Sequence, residues 1–192
     1  MNGDLVDNDT VELPEQLLLQ KYIKKNDTVL QLGGNIGTSC IYTEKMGATT
    51  ICVEPIQQVA EILERNKKYN NVSFQVINAI IAPCAYPCRQ QMNVGGANSN
   101  SSYVVKSDII DVSVVDLEHL NLDFNVIFAD CEGCLPKFIN DYPFVLDKVR
   151  LILYEKDKDD GYIYDNMNNV IVKKGFELVE SGFLNVLVKI SA

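Results

Sequence analysis

The chain has 192 residues, 47% of them hydrophobic, and carries a formal net charge of −9. This length is enough for one domain with a substantial core and too short for two. The negative charge argues against a nucleic-acid partner, because phosphate recognition needs clustered Lys and Arg, and equally against an anionic membrane surface. No apolar run approaches the ~20 residues that cross a bilayer, and the first residues are acidic and polar. We therefore expect no membrane span and no signal peptide.

The cysteines suggest a reducing compartment. The chain contains six of them but is neither short nor cysteine-dense, so most are expected to be reduced thiols of a cytoplasmic protein. A tetrahedral zinc site is the alternative for four of them, at Cys84, Cys88, Cys131 and Cys134. The candidate crevice described below includes Cys131, and a zinc ion there would occupy the reaction site, so no metal ligands are assigned.

Strand and helix patterns alternate through the first half of the chain. Residues 1–27 are predicted to be a lead-in followed by one helix, ahead of a main domain over 28–192. Gly47 and Pro55 interrupt the periodic segments, as expected of residues that end helices and strands. Strands are predicted at 28–32, 49–55 and 72–78, with helices at 36–47 and 56–69.

The second half returns to this alternation after a long connection. Residues 79–107 are rich in Pro, Gly, Asn and Ser, and connections of this length are usually functional or mobile. A hairpin is an open alternative here, because 103–117 has β-like segments. The chain ends in two strand patterns separated by Ser181 and Gly182, which predict an antiparallel hairpin. Further strands are predicted at 124–130 and 149–155, and helices at 134–146 and 163–175. The fold class is therefore α/β with a mainly parallel sheet.

The segment VLQLGGNIGTSC, residues 29–40, is a strand that runs into a glycine turn. A phosphate-binding P-loop would need a Lys after the glycines, and none follows Gly37. A dinucleotide fingerprint would need the spacing G-x-G-x-x-G, which glycines at 33, 34 and 37 do not have. Glu54 ends the second strand, where an acid hydrogen-bonds the ribose hydroxyls of an adenosine. This combination suits S-adenosylmethionine (SAM).

The same residues resemble a known family. VLQLGGNIGTSCIYTEKMGATTICVEP resembles the opening of FkbM-type SAM-dependent methyltransferases, and FNVIFADCEG (124–133) resembles the segment around their fourth strand. VSVVDLEHLNLDF (112–124) and the Gly- and Ser-rich NVGGANSNSS (93–102) fall between them in matching order, and the likeness spans about 28–155. The resemblance implies a Rossmann-like sheet of seven strands in the order 3-2-1-4-5-7-6, with helices on both faces and a C-terminal antiparallel hairpin. It also implies SAM as the cofactor.

Three positions depart from that family pattern. Gln31 replaces an acid that normally approaches the methionine ammonium of SAM, so it offers only an uncharged acceptor. Phe128 stands where the family has Lys, and Leu135 stands where a second Glu usually follows. On this basis Gln31→Asp is expected to tighten SAM binding.

The cofactor site is predicted from the glycine turn and the ends of the first four strands. Other readings compete at several positions: the glycines could be simple turn residues, Ile56 a core residue, and Asn78 a strand-terminating Asn. The predicted cofactor residues are Gln31, Gly33, Gly34, Asn35, Gly37, Glu54, Pro55, Ile56, Asn78, Ala79 and Asp130.

The catalytic residues are predicted at the carboxyl ends of the fourth and fifth strands. Asp130, Glu132 and Glu155 reach the edge where open α/β sheets bind ligands, although acids are also favoured at helix N-termini. Asp130 is our first choice as the base, and Glu132 would share its face of a regular strand. His119, the only histidine, lies in a polar stretch and is expected to be solvated. In related enzymes acids at this edge also hold a divalent metal, and that alternative stays open here.

These features predict a SAM-dependent O-methyltransferase. Its acceptor would be a hydroxyl of a small molecule or glycan, with a sugar favoured, and the 84–106 connection would cover the acceptor. Two alternatives stay open: a methyltransferase fold that has lost activity and serves as a binding or scaffold protein, and a nicotinamide-dependent oxidoreductase. Association into a homo-oligomer is also left open.

Overall fold

The protein is described by a computed structural model that covers residues 13–84, 88–93, 109–156, 161–182 and 184–190. These residues form helices on both faces of a large sheet, together with a second, smaller sheet. The helices are α1 (Leu13–Tyr22), α2 (Thr38–Lys45), α3 (Gln57–Tyr69), α4 (Leu117–Leu120), α5 (Cys134–Asp141), α6 (Val145–Lys148) and α7 (Gly161–Lys173). The strands are β1 (Thr28–Leu32), β2 (Thr49–Val53), β3 (Gln75–Ile77), β4 (Ile80–Ile81), β5 (Cys88–Asn93), β6 (Ile109–Val115), β7 (Val126–Ala129), β8 (Leu151–Glu155), β9 (Phe176–Glu180) and β10 (Leu184–Lys189).

The large sheet has seven strands in the order β3-β2-β1-β7-β8-β10-β9. The first five strands in this order are parallel, whereas β10 pairs antiparallel with both β8 and β9. The predicted sheet order and the C-terminal hairpin are therefore confirmed. The direction in which the chain progresses across the sheet reverses between β1 and β7, so their carboxyl ends form a topological switch point.

Both faces of the sheet are buried, because the central strands are apolar at nearly every position. In β1, Leu30 belongs to the cluster that includes Ile127 on one face, while Val29 packs with Val126 on the other. Such unbroken apolar runs are typical of parallel strands covered by helices on both sides. The second face is covered in part by α1, whose Leu19 is fully buried in that cluster.

A second sheet, of order β4-β6-β5, occupies the region predicted as a long connection. The β-like pattern over 103–117 corresponds in part to β6, which pairs antiparallel with β5 and parallel with β4. The hairpin considered for this region corresponds to the antiparallel pair of β5 and β6, whereas the addition of β4 to form a separate sheet is not predicted. The 84–106 connection expected to cover the acceptor includes β5, whereas 85–87 and 94–106 lie outside the described residues.

A polar cluster around Asp27 ties the amino edge of the sheet together. The Asp27 carboxylate accepts hydrogen bonds from the Arg150 guanidinium, from Asn125 Nδ2 at 2.9 Å and from the Lys24 backbone N–H at 2.6 Å. Arg150 also donates to the Tyr22 carbonyl oxygen at 3.1 Å. Burial opposes the charge on Asp27, but these hydrogen bonds outweigh it and hold the pKa of the carboxyl below its usual value.

No helix within the described ranges is long and apolar enough to cross a membrane.

Candidate functional site

A cavity of about 550 Å³ opens at the switch point of the large sheet. This volume is within the usual range for small-molecule sites. The carboxyl ends of β1, β2, β7 and β8 meet there, and residues of α1, α5 and the second sheet complete the wall. The residues predicted from the sequence that line the cavity are Gly33, Asn35, Glu54, Pro55, Ile56, Ala79, Asp130, Glu132 and Glu155.

The glycine turn has no side chain at Gly33 and Gly34 because neighbouring atoms leave no space for a Cβ at these two positions. Gly33 has a φ of +84°, and a Cβ there would lie 1.8 Å from the Asp130 carbonyl oxygen. A Cβ at Gly34 would lie 2.3 Å from Cys52 Sγ, and Gly37 has a φ of +95°. Packing and backbone conformation therefore account for these glycines. Only Gly33 among them lines the cavity, so Gly34 and Gly37 shape the turn from behind.

Glu54 is a buried polar group of the cavity wall that two backbone N–H groups hold in place. It follows β2, and its carboxylate oxygens accept hydrogen bonds from the backbone N–H groups of Asn35 and Ile56, each at 2.9 Å. Only 6% of the residue is exposed. Burial raises the pKa of Glu54 to about 7, although the two N–H groups favour the charged form. The site thus holds a fixed carboxylate that titrates near neutrality.

Asn35 adds a buried acceptor to the same wall. Its backbone is left-handed, with a φ of +45°, and its N–H is used by Glu54. Its side-chain Oδ1 is buried and finds no hydrogen-bond donor within the described part of the chain. A buried oxygen without a donor is uncommon in proteins and costs free energy. A ligand with a hydroxyl or ammonium group would satisfy it.

Gln31, predicted to approach the cofactor, does not line the cavity. Only 2% of the residue is exposed. Its Nε2 donates to the Gly33 carbonyl oxygen at 3.3 Å, and its Oε1 accepts from Cys40 Sγ at 3.1 Å. The amide therefore links β1 to α2 inside the protein, which an uncharged side chain can do at this depth.

Asn78 also lies behind the wall. Its Nδ2 donates to the Glu54 carbonyl oxygen at 2.7 Å and so ties the end of β3 to the end of β2. This contact supports the interpretation of a strand-terminating Asn. The neighbouring Ala79 and, next to Pro55, Ile56 are both buried and line the cavity.

Three acids from two strand ends share the cavity. Asp130 directly follows β7, and its backbone N–H donates to the Leu32 carbonyl oxygen at 3.0 Å. Glu155 is the last residue of β8. The expectation that Glu132 continues the alternation of a regular strand is wrong, because β7 ends at Ala129 and Glu132 has a φ of +50°. The turn nevertheless keeps Glu132 in the cavity wall.

The two other residues that differ from the family pattern, Phe128 and Leu135, lie in the core. Phe128 is 1% exposed and packs on the face of the sheet away from the cavity. Leu135 is 1% exposed within the larger cluster. His119 lies exposed on α4 and does not line the cavity.

The sequence interpretation missed the residues that reach the cavity from outside the strand ends. Glu15 of α1 is 7% exposed, and its Oε2 accepts a hydrogen bond from Ser39 Oγ at 2.9 Å. In the sequence Glu15 indicates only a helix start. The remaining wall includes Ile80, Ile81, Ala82, Gln90, Met92, Lys137, Phe138, Asp141 and Leu184.

The cysteines divide into two classes. Cys131 and Cys134 form a disulfide in the cavity wall, so this pair is an exception to the expectation that most cysteines are reduced, and neither sulfur is available as a zinc ligand. The other four cysteines are free. Over the described ranges there is no group of three or more metal-ligating side chains.

Comparison with known proteins identifies the fold. No model of a known protein family matches the sequence, and no curated protein matches it. Among solved structures, ribosomal protein L11 methylase from Lactobacillus delbrueckii subsp. bulgaricus superposes with a TM-score of 0.58 at 12% identity, over 93% of this chain and 78% of that one. Magnesium protoporphyrin IX methyltransferase from Synechocystis PCC 6803, solved with bound SAM, gives 0.58 at 9% identity, over 95% and 79%.

A putative tRNA (m1A22) methyltransferase from Streptococcus pneumoniae, in complex with SAM, gives a TM-score of 0.56 at 10% identity, over 93% of this chain and 74% of that one. The fold of this chain is therefore that of the class I SAM-dependent methyltransferases. Membership in the FkbM family stays a prediction from the sequence motifs.

Proposed function

We propose that this chain is a SAM-dependent methyltransferase whose acceptor is a hydroxyl of a small molecule or glycan. The observation that carries the proposal is Glu54, a buried carboxylate fixed by two backbone N–H groups in a cavity at the switch point of the sheet. The two hydroxyls of a ribose can donate to such a carboxylate. Ile56 and Ala79 beside it offer apolar surface for an adenine ring.

The methionine end of SAM would find its partners near α1 and the glycine turn. SAM carries an ammonium group there, which needs an acceptor or an anion. Glu15 lies in the cavity wall and accepts a hydrogen bond from Ser39. The next residue, Cys40, donates to Gln31, so the two side chains contact neighbouring positions of α2. Glu15 would therefore supply the negative charge that Gln31 lacks, and the Asn35 Oδ1 offers a further acceptor.

The chemical step would depend on the acids at the strand ends. Bound SAM would supply a methyl group already activated by the positive charge of its sulfonium. The protein must align the acceptor oxygen with that methyl group and remove the hydroxyl proton. Asp130 would accept this proton, since it lies at the switch point. Glu132 and Glu155, in the same wall, would orient the acceptor. A divalent metal is not needed for these roles.

The chemistry of the wall favours an uncharged acceptor. The wall contains the carboxylates of Asp130, Glu132 and Glu155, while the charge of Asp141 is paired with Lys137. Ile80, Ile81 and Met92 of the second sheet add apolar surface. An RNA acceptor, such as the name of the pneumococcal neighbour indicates, would bring phosphates toward these acids and toward a chain of net charge −9. A neutral molecule with an apolar body and a free hydroxyl, such as a glycoside, fits better.

The proposal is tested first by binding. Calorimetry with SAM should show binding that Glu54→Ala weakens by about 1–3 kcal/mol, the usual value of a hydrogen bond to a charged group. Glu61→Ala is the matched control, because Glu61 lies exposed on the adjacent α3. Equal SAM affinity in both variants would remove Glu54 from the site, and binding of NAD in place of SAM would support the oxidoreductase alternative.

The acceptor is tested by transfer of a labelled methyl group. Glycosides, peptides and RNA are offered in parallel, and the proposal expects label on a glycoside hydroxyl. Label on RNA or peptide would keep the methyltransferase and refute the hydroxyl acceptor. SAM binding without transfer to any class would favour the scaffold alternative.

A further inference from the structure

The disulfide joins the two ends of the turn that contains Glu132 and directly follows Asp130. Cys131 follows Asp130 directly, Cys134 is the first residue of α5, and their Cα atoms are 5.5 Å apart. Both cysteines line the cavity, as does Glu132 between them. Any change in this bond therefore occurs in the wall of the candidate active site.

The bond closes a turn whose backbone conformation is unusual. Glu132 and Gly133 are both left-handed, with φ values of +50° and +85°. For Glu132 this conformation is unfavourable, because the residue has a Cβ. The backbone hydrogen bond across the turn, from the Cys134 N–H to the Cys131 carbonyl oxygen, is long at 3.3 Å. Without the disulfide, the turn would be able to leave this conformation.

The turn is in direct contact with the glycine turn. A Cβ on Gly33 would lie 1.8 Å from the Asp130 carbonyl oxygen and 3.1 Å from the Cys131 Cα, so the two backbones touch. A movement of Cys131 is therefore transmitted to both Asp130 and Gly33. The proposed cofactor and acceptor positions would respond together.

The two sulfurs differ in access, and the rest of the chain is not built around disulfides. Cys134 is exposed, whereas Cys131 is half-buried against the larger core cluster. Cys84 and Cys88, whose thiols both approach the Val114 carbonyl oxygen, remain free despite their proximity. A single accessible disulfide among free thiols is typical of an exchangeable bond, whereas secreted proteins generally pair their cysteines for stability.

We propose that Cys131–Cys134 is a site of thiol–disulfide exchange with a protein or small-molecule dithiol, and that reduction loosens the cavity wall. A thiolate of the dithiol attacks the exposed Cys134 Sγ, forms a mixed disulfide and releases Cys131 as a thiolate, which takes up a proton. The second thiol of the dithiol then attacks the first sulfur of the same dithiol in the mixed disulfide, which closes the dithiol's own disulfide and releases Cys134. The protein gains two thiols, and the dithiol becomes a disulfide. Exchange is independent of the proposed function, whereas its effect on SAM rests on it.

The exchange is tested by trapping. The folded full chain is equilibrated in mixtures of reduced and oxidised dithiothreitol, quenched with a maleimide and examined by mass spectrometry. We expect Cys131 and Cys134 to gain two maleimides together under native conditions and to lose them on reoxidation. A pair that reacts only after the protein is unfolded, or that never forms the disulfide, would overturn the proposal.

The coupling is tested with and without a cofactor. Amide hydrogen exchange at 33–37 and 130–135 should accelerate several-fold on reduction, and the affinity for S-adenosylhomocysteine should fall about tenfold. The Cys131→Ser/Cys134→Ser variant should match the reduced protein and ignore the reductant, while the Cys84→Ser/Cys88→Ser control should still respond. Identical hydrogen exchange in both redox states would refute the coupling. Absence of S-adenosylhomocysteine binding in both states would instead refute the proposed function.

Discussion

Glu54 should make cofactor affinity depend on pH, and the structure sets the size of the effect. Burial raises the pKa of Glu54 to about 7 from an ordinary value of 4.5, and ribose hydroxyls would donate to the ionised form. With that pKa, about a tenth of the molecules carry the charge at pH ~6 and about nine tenths at pH ~8. The affinity for S-adenosylhomocysteine should therefore rise about tenfold over this interval.

The same carboxyl should change stability in the opposite direction. Its pKa is higher in the folded protein than in the unfolded chain, so the neutral acid favours the folded state. That contribution is complete below the unfolded pKa of 4.5 and is lost as the pH rises through about 7. The difference between these two values corresponds to about 3 kcal/mol of unfolding free energy.

The test compares the chain with Glu54→Gln, and with Glu61→Gln as an exposed control. Calorimetry with S-adenosylhomocysteine and urea unfolding are both run from pH ~5 to pH ~8. The Glu54→Gln variant should lose the pH dependence of affinity and most of the pH-dependent loss of stability, while Glu61→Gln behaves like the parent. An equal rise in affinity in the Glu54→Gln variant would refute the reasoning, because the charge at Glu54 would then not take part in binding.

Three further substitutions test other parts of the structure. Asp130→Asn should keep SAM binding and lower single-turnover methylation by ~10²–10⁴, the usual contribution of a general base; loss of SAM binding would make Asp130 a cofactor contact instead. Asp27→Asn should lower the unfolding free energy measured in urea by about 2–3 kcal/mol, because it removes the charged partner of Arg150. This difference from the parent should disappear at a pH low enough to protonate Asp27 in the parent. Gln31→Asp should destabilise the fold without tightening SAM, because it buries a charge in place of the amide that meets Cys40; tighter binding in calorimetry would show that position 31 reaches the cofactor.

The central sheet could be predicted because its strands have an unambiguous pattern. β1 occupies the predicted 28–32, and β8 falls within the predicted 149–155. Strands buried on both faces give continuous apolar runs, which turn signals separate from the helices. The ends were less accurate: β3 is limited to Gln75–Ile77 within the predicted 72–78.

The second sheet could be predicted only in part, because β6 has a β-like pattern but β4 and β5 do not. β5 has the sequence CRQQMN, with little of the apolar alternation that identifies a strand. Its structure comes from its antiparallel pairing with β6, which is a contact between distant parts of the chain. Ile80 and Ile81 of β4 and Met92 of β5 line the cavity. Their part in the proposed acceptor site therefore could not be predicted from local sequence patterns.

The position of negative charge shows most clearly how the site depends on tertiary structure. A comparison of motifs locates the missing acid at Gln31, and so suggests a weakened cofactor site. In the fold, Gln31 and Glu15 contact consecutive residues of α2, Cys40 and Ser39 respectively, but only Glu15 lines the cavity. An acid from α1 would thus stand in for the expected strand residue, because the first turn of this helix reaches the cavity wall. The net charge of a site is the sum over all side chains that line it, whichever segments they come from. A substitution within one motif therefore does not by itself show that the charge is lost.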